Sequence, residues 1–516
     1  MQHAKRWLYL VHRWAGVVLC AFFAMWFVSG VVMMYVGYPK LTATERLEHL
    51  APLRGASIAL EPAAALRAAG LDGQPLADLR LAVASGGRAV YLVQPEGAPK
   101  RKPATVVDAS TGQVLRAVDA AWATASAQAF AGASEEAPRH LGTLDEDAFT
   151  HSRALDAHRP LHRLALGDAA GTEVYVSGTT GEVVRDATRS ERGWNYVGAW
   201  IHWLYPFRGN VFNAWWADIV NWLSIAGIVL TITGTVVGVM RWRFTRRYKS
   251  GSRSPYRGFM MRWHHVFGLL FAGITLTWIF SGLMSMNPWK IFDSGAAPLR
   301  LQAMHGGPLQ LPAQPASVQA LLAAASPNTR ELRWVRHAGH TLVLAASPTG
   351  APAVLDAASA QTRAFDPAEL QAAASRLVDA PVARTELLRG YDLHYYSRAA
   401  HTMTGGGDNK PLPVLRVEFA DAYATWVHID PHTGAVLDKS DTHRRASRWL
   451  FALLHSWDWG PLLAHRPLWD ALLIVLSLGG AVLSLTGVVV GWRRLVRPWR
   501  LNPAGAAPAR PGRTPG

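Results

Sequence analysis

Two stretches decide the fold: LVHRWAGVVLCAFFAMWFVSG at Leu10–Gly30 and RWHHVFGLLFAGITLTWIFSG at Arg262–Gly282. With His12 set over His264, Gly16 falls on Gly268, Trp26 on Trp278, and Ser29-Gly30 on Ser281-Gly282. Both are long, nearly uncharged runs that open with a histidine and close with Ser-Gly. The repeat continues far beyond them. LTITGTVVGVMR (Leu230–Arg241) lies over LSLTGVVVGWRR (Leu483–Arg494), which pairs Thr233-Gly234 with Thr486-Gly487. The same register pairs Trp216 with Trp469, His202 with His455, Pro160 with Pro413 and Arg163 with Arg416. TEVYVSGTTGEVV (Thr172–Val184) falls on TWVHIDPHTGAVL (Thr425–Leu437). The 516-residue chain is therefore one unit written twice.

Four apolar runs, about residues 14–36, 214–240, 266–287 and 468–492, are each long enough to cross a hydrocarbon core, which takes about 20 helical residues. None carries the polar stripe of a soluble helix. The first run is longer than a signal-peptide core and no small-residue cleavage site follows it, so it reads as an uncleaved anchor. Lys and Arg concentrate beside the spans: Lys5, Arg6 and Arg13 at the start, seven basic residues in RWRFTRRYKSGSRSPYR, and Arg493, Arg494, Arg497 and Arg500 at the end. The positive-inside rule puts all three in the cytoplasm.

The expected class is a membrane α-helical protein with four transmembrane helices from a parallel tandem repeat, carrying two α+β periplasmic modules. The boundaries are 1–36 for the cytoplasmic N-terminus and first span, 37–210 for the first periplasmic region, and 211–241 for the second span. A basic cytoplasmic loop follows at 242–262, then the third span at 263–288, the second periplasmic region at 289–465, the fourth span at 466–493 and a cytoplasmic tail at 494–516. Both termini are then cytoplasmic, and in a bacterium the chain sits in the inner membrane. The net charge of +16 follows in part from this bias, because the basic residues flank membrane spans instead of forming a nucleic-acid surface. The single cysteine, Cys20, lies inside the first span and excludes an intrachain disulfide or thiolate cluster.

The external regions read as hairpins built on Asp/Ser-x-x-Thr-Gly turns, as in VVDASTGQVL (Val106–Leu115), with VLDAASAQTRAF (Val354–Phe365) a degraded copy. Ala-rich stretches at Pro62–Ala69 and Val318–Ala325 read as helices packed on the hairpins, and Ala120–Asp147 as loop or irregular helix.

Of the 20 histidines, four stand apart. His12 and His264 open spans one and three, and His202 and His455 precede spans two and four. A lone interfacial histidine is usually an amphipathic anchor. Two matched pairs at two depths suit axial ligation, because haem iron takes one imidazole from each face of the ring and a pseudo-two-fold axis supplies that geometry. A structural zinc site wants four ligands together, often with cysteine. His265 rivals His264 for the inner position, and the repeat register selects His264. Gly16 and Gly268 serve close helix packing or leave room for a ring, Ser29-Gly30 and Ser281-Gly282 read as packing, and the span-end tryptophans read as interfacial belts. Arg208 and Arg466 are placed to balance propionates, to attract an anionic chelate or to meet lipid headgroups. His158 and His162, four apart, could clip a metal, but Pro160 between them favours a structural role.

The paired His-x-x-x-Gly…Ser-Gly helices, LPVLRVEFADAYATWVHIDPHTG (Leu412–Gly434) and WIFSGLMSMNPW (Trp278–Trp289) resemble the PepSY-associated transmembrane family. The resemblance covers nearly the whole chain and marks the external modules as PepSY-like. It implies similarity to inner-membrane ferric-siderophore reductases with two b-type haems. The expected function is then electron transfer from a cytoplasmic or quinol donor to a periplasmic acceptor such as a ferric siderophore, with His12/His264 and His202/His455 as the axial pairs and membrane lipid as the surround. The alternative is a non-redox membrane protein whose modules bind or regulate an envelope partner such as a protease. Charged residues are lacking at mid-span depth, which argues against ion-coupled transport.

Overall fold

The computed structural model describes residues 2–99, 101–132, 136–208, 211–403 and 410–496. Five helices carry the apolar runs: α1 Gln2–Tyr35, α2 Trp216–Arg241, α3 Phe259–Leu270, α4 Ala272–Ser285 and α5 Arg466–Leu495. Three stretches, His3–Tyr35, Asn213–Arg241 and Arg466–Leu495, are long and apolar enough to cross a membrane, and the pair α3 and α4 makes a fourth if counted as one span.

The third expected span, 263–288, is not a single helix. It bends by 67° between α3 and α4. The break falls at Phe271 (φ −105°, ψ 9°), where no proline is present. Gly268 and Gly273 flank it and weaken the local helix. The Phe271 ring stacks on Phe267 at 5.4 Å and lies against Gly479, where an added Cβ would come within 2.1 Å of the ring. The bend is held by the seat that Gly479 leaves for an aromatic ring.

The chain divides into two compact units. One comprises residues 2–27, 223–279 and 475–496 among those described. Its apolar core is Leu19, Phe23, Phe27, Leu230, Ile279 and Ala481. The other comprises residues 28–222 and 280–474 and holds every strand among the described residues.

The strands are β1 Leu76–Ser85, β2 Arg88–Pro95, β3 Thr105–Asp108, β4 Arg139–Leu144, β5 Leu161–Ala165, β6 Glu173–Ser177 and β7 Val183–Ala187. They continue as β8 Glu331–His337, β9 His340–Ala346, β10 Ala353–Asp356, β11 Val382–Leu388, β12 Val414–Phe419, β13 Trp426–Ile429 and β14 Val436–Ser440. Each half contributes a four-stranded antiparallel sheet, β4-β5-β6-β7 and β11-β12-β13-β14. The remaining strands do not stay within their halves. They form one six-stranded sheet, β10-β9-β8-β1-β2-β3, joined where Leu79 pairs with Trp334 and Leu81 with Leu332. The expected pair of external modules therefore shares a sheet. All four of these side chains are essentially fully buried, and each contributes about 1.5–3 kcal/mol of burial free energy. Helices Pro62–Ala68 and Val318–Ala324 supply Ala65, Leu66, Val318 and Leu321 to the same core. Ala120–Asp147 resolves into a helix at Ala120–Ala131 and the short edge strand β4, whose polar, half-exposed residues hide the alternation that marks a strand.

The Thr-Gly turns form as expected. Asp108 accepts from the backbone of Ser110 and Thr111, Ser177 from Thr179 and Thr180, and Asp430 from His432. Burial alone would raise the Asp108 pKa; hydrogen bonds from Ser110, Thr111 and Arg88 outweigh it and hold the carboxyl down to about 2. Gly112, Gly181 and Gly434 have φ of 76°, 73° and 74°. In the degraded copy Ala360 takes that place at φ 58°, so the left-handed conformation alone, costing about 1–2 kcal/mol, is tolerable. Gly434 differs because an added Cβ would come 2.9 Å from the Phe365 ring and 3.1 Å from His337. Gly434→Ala is expected to destabilise the strand-bearing unit by about 2–3 kcal/mol, strain and clash combined. A thermal melt of the purified variant indistinguishable from that of the parent contradicts this.

Candidate functional site

The first unit brings the rings of His12 of α1 and His264 of α3 close to each other. Their ring centroids are 6.3 Å apart, with planes at 32°. Nδ1 of His12 points to the Leu230 carbonyl at 3.4 Å, at the long end for a hydrogen bond. Nδ1 of His264 lies 3.2 Å from the Leu483 carbonyl and 3.3 Å from Thr486 Oγ1. A carbonyl only accepts, so each Nδ1 carries the proton and each Nε2 keeps its lone pair.

The seats are built twice from the same five-residue pattern, Leu230-x-x-Thr233-Gly234 and Leu483-x-x-Thr486-Gly487. Thr233 and Thr486 donate to the same Leu230 and Leu483 carbonyls, at 3.0 and 2.7 Å. The glycines make space for the rings. A Cβ on Gly234 would sit 2.6 Å from His12 Cε1, and one on Gly487 would sit 3.2 Å from His264 Cε1 and 2.5 Å from Cys20 Sγ. Gly16 and Gly268, the glycines one turn after the histidines, face leucine side chains at ordinary distances of 3.7 and 3.6 Å. The sequence signal for the true seats was the repeated Thr-Gly pair, which register alone could not assign to a histidine. Around both rings lies a cavity of about 810 Å³, lined mainly by glycines and aliphatic side chains; pockets of about 300–1,000 Å³ hold small molecules and cofactors.

His265 does not join this pair. Its Nδ1 meets Ser254 Oγ at 2.8 Å, its Nε2 meets the Gly238 carbonyl at 2.9 Å, and Tyr256 and Trp242 pack edge-on against its ring. It ties the loop after α2 to α3.

The second unit holds His202 and His455, with centroids 6.2 Å apart and planes at 73°. Nδ1 of His202 lies 2.9 Å from Ser29 Oγ, and Nδ1 of His455 lies 3.0 Å from Ser281 Oγ. The Ser-Gly pairs expected to pack helices therefore also orient imidazoles, and both serines are buried. Each histidine follows a π-helical turn, Tyr196–Trp200 or Arg448–Leu453, and comes two residues before a left-handed residue, Leu204 (φ 53°) or Trp457 (φ 50°). Such irregular backbone gathers at functional sites.

Tryptophans expected as interfacial belts hold these bends. Trp216 Nε1 donates to the Trp203 carbonyl at 2.8 Å, and Trp469 Nε1 donates to the carbonyls of Ser456 and Trp457, both at 3.1 Å. Trp469 is fully buried, which no membrane-surface anchor would be. Arg208 and Arg466 lie over the Trp216 and Trp469 rings and already have polar partners, Tyr205 and the His151 carbonyl for Arg208 and Asp470 for Arg466. His158 and His162 do not converge: His158 meets Ser177, and His162 meets Thr143 and the Val118 carbonyl.

Metal–imidazole bonds run about 2.0–2.1 Å, and a ring nitrogen lies about 1.1 Å from its centroid, so two imidazoles trans on one metal have centroids about 6.2–6.4 Å apart. Both pairs have this separation. Among the described residues no group of three or more His, Cys, Asp or Glu could hold a metal ion; these histidines come in twos. A family model described as PepSY-associated TM region matches residues 9–407, which takes in His12, His202 and His264. No curated protein matches the chain.

Two kinds of glycine are expected to separate by sign. Ala normally stabilises a helix relative to Gly by about 0.5–1 kcal/mol. Gly16→Ala and Gly268→Ala should leave the melting temperature in detergent unchanged or raised, whereas Gly234→Ala and Gly487→Ala should lower it by displacing a ring or Cys20. Equal shifts for all four refute the seat assignment.

Proposed function

Because the chain belongs to the PepSY-associated transmembrane family, we propose that it is a membrane-embedded b-type cytochrome whose His12/His264 and His202/His455 pairs each hold one haem. The observation that carries this reading is the 6.3 and 6.2 Å separation of two repeat-related imidazole pairs, each anchored through Nδ1. Anchoring Nδ1 fixes ring orientation and raises the basicity of Nε2, as ligand-orienting hydrogen bonds do at metal sites. When bound, haem supplies one-electron redox chemistry. The chain supplies the ligands, the glycine space beside them and a largely apolar wall.

The proposed architecture is a parallel tandem repeat of four spans in a bacterial inner membrane. Residues 37–210 and 289–465 are periplasmic and both termini cytoplasmic, which is supported by the clustering of Arg and Lys before the first run, between the second and third, and after the fourth. The activity is transfer of single electrons from a cytoplasmic or quinol donor to a periplasmic acceptor. A ferric siderophore is the acceptor the family resemblance favours: each Fe(III) takes one electron from the reduced donor, which is thereby oxidised, and becomes Fe(II), which hard oxygen donors hold less tightly.

Haem content and low-spin resonance of folded variants test this. His202→Ala and His455→Ala should each remove or perturb the same haem, with the double change adding little, because both act on one site. His12→Ala and His264→Ala should do the same to the other, while His265→Ala retains both. The 32° and 73° ring angles should give two distinguishable low-spin signals, the more anisotropic one vanishing with His202 or His455. Two low-spin haems per chain in all four single variants would refute the ligand set.

A further inference from the structure

The inner cavity carries positive charge that no carboxylate balances. Arg13 on α1 and Arg493 and Arg494 at the end of α5 line it together with the two histidines, and among the described residues no Asp or Glu lines it. All three arginines are exposed, and among the described residues none of them forms an ion pair. The counterparts of Arg494 and Arg13 are occupied, and that of Arg493 is Met240, which carries no charge. Arg241, equivalent to Arg494, donates to Tyr9 OH at 2.8 Å and lies over the Tyr9 ring. His265, equivalent to Arg13, uses both ring nitrogens within the chain. Arg208 and Arg466, the arginines near the other histidine pair, also have partners.

We propose that Arg13, Arg493 and Arg494 bind the carboxylates of the group held between His12 and His264, so that the cavity selects a flat apolar ring with an acidic edge. Under the haem reading, on which this rests, those carboxylates are the two propionates. The lining combines aliphatic and glycine residues with the two imidazoles, and its three guanidinium groups are on exposed residues. Guanidinium matches carboxylate in a two-point fork. A basic flank is ordinary at a cytoplasmic membrane surface. These three residues differ from Arg243, Arg246 and Arg247 in lining the cavity.

The test compares haem with haem dimethyl ester, which keeps the ring and iron but has no carboxylate. Full-length His202→Ala/His455→Ala protein, made in haem-depleted cells and purified in uncharged detergent, loads only the inner pair and is titrated by absorbance. The parent should bind haem at least tenfold more tightly than the ester. Adding Arg13→Gln, Arg493→Gln and Arg494→Gln should abolish that preference, leaving haem bound as the ester is. A control with Arg243→Gln, Arg246→Gln and Arg247→Gln removes the same charge outside the cavity and should retain it. Cys20, the chain's one cysteine, also lines the cavity. Its protection from a small membrane-permeant thiol reagent gives a second, non-spectral measure of occupancy and should follow the same order. Equal affinity of the parent for haem and ester, or an undiminished preference in the cavity-arginine variant, overturns the proposal. The second result would leave the arginines as lipid-headgroup contacts. Binding of neither compound by the parent instead overturns the haem reading itself.

Discussion

Two imidazoles must be held about 6.3 Å apart among apolar helices, and much of the structure serves that constraint. A neutral polar group buried without a partner costs about 1–3 kcal/mol, so each ring needs a partner for Nδ1 that does not compete for Nε2. The first unit supplies carbonyls whose helix also carries the glycine that admits the ring. The second supplies buried serines. Either way, the hydrogen bond that removes the burial cost also sets ring orientation.

The backbone irregularities fit the same demand. A straight helix directs side chains at fixed angles, and His202 and His455 each lie between a π-helical turn before them and a left-handed residue after them. Trp216 and Trp469 hold those bends by donating to the carbonyls just after the histidines. The external strands answer a different demand. Neither half's first hairpin has an edge it can leave open without risk, and the antiparallel joining of β1 to β8 gives each an edge partner.

The repeat was legible because register compares residues without needing contacts. It paired His12 with His264, His202 with His455 and the Thr-Gly turns, and the structure brings each histidine pair together. What register cannot show is which residue serves which. Thr233-Gly234 and Ser29 were visible as repeated pairs, but their roles depend on helices packed side by side, residues apart by hundreds in the chain. The bend at Phe271 depends on Gly479 in the same way, since no local proline announces it. The β1–β8 pairing leaves no mark in either strand, because alternation fixes which face is buried and not which strand lies alongside. Trp469 read as a surface anchor because its position in the chain, at a span end, was the same as that of a true belt residue.

The reading of the two pairs as haem ligands is tested most directly by a reduced-minus-oxidised absorbance spectrum, with haem quantified per chain, on the unmodified full-length protein purified from haem-replete cells. Two low-spin b-type haems per chain is the expected result. A folded, colourless preparation without a Soret band contradicts it.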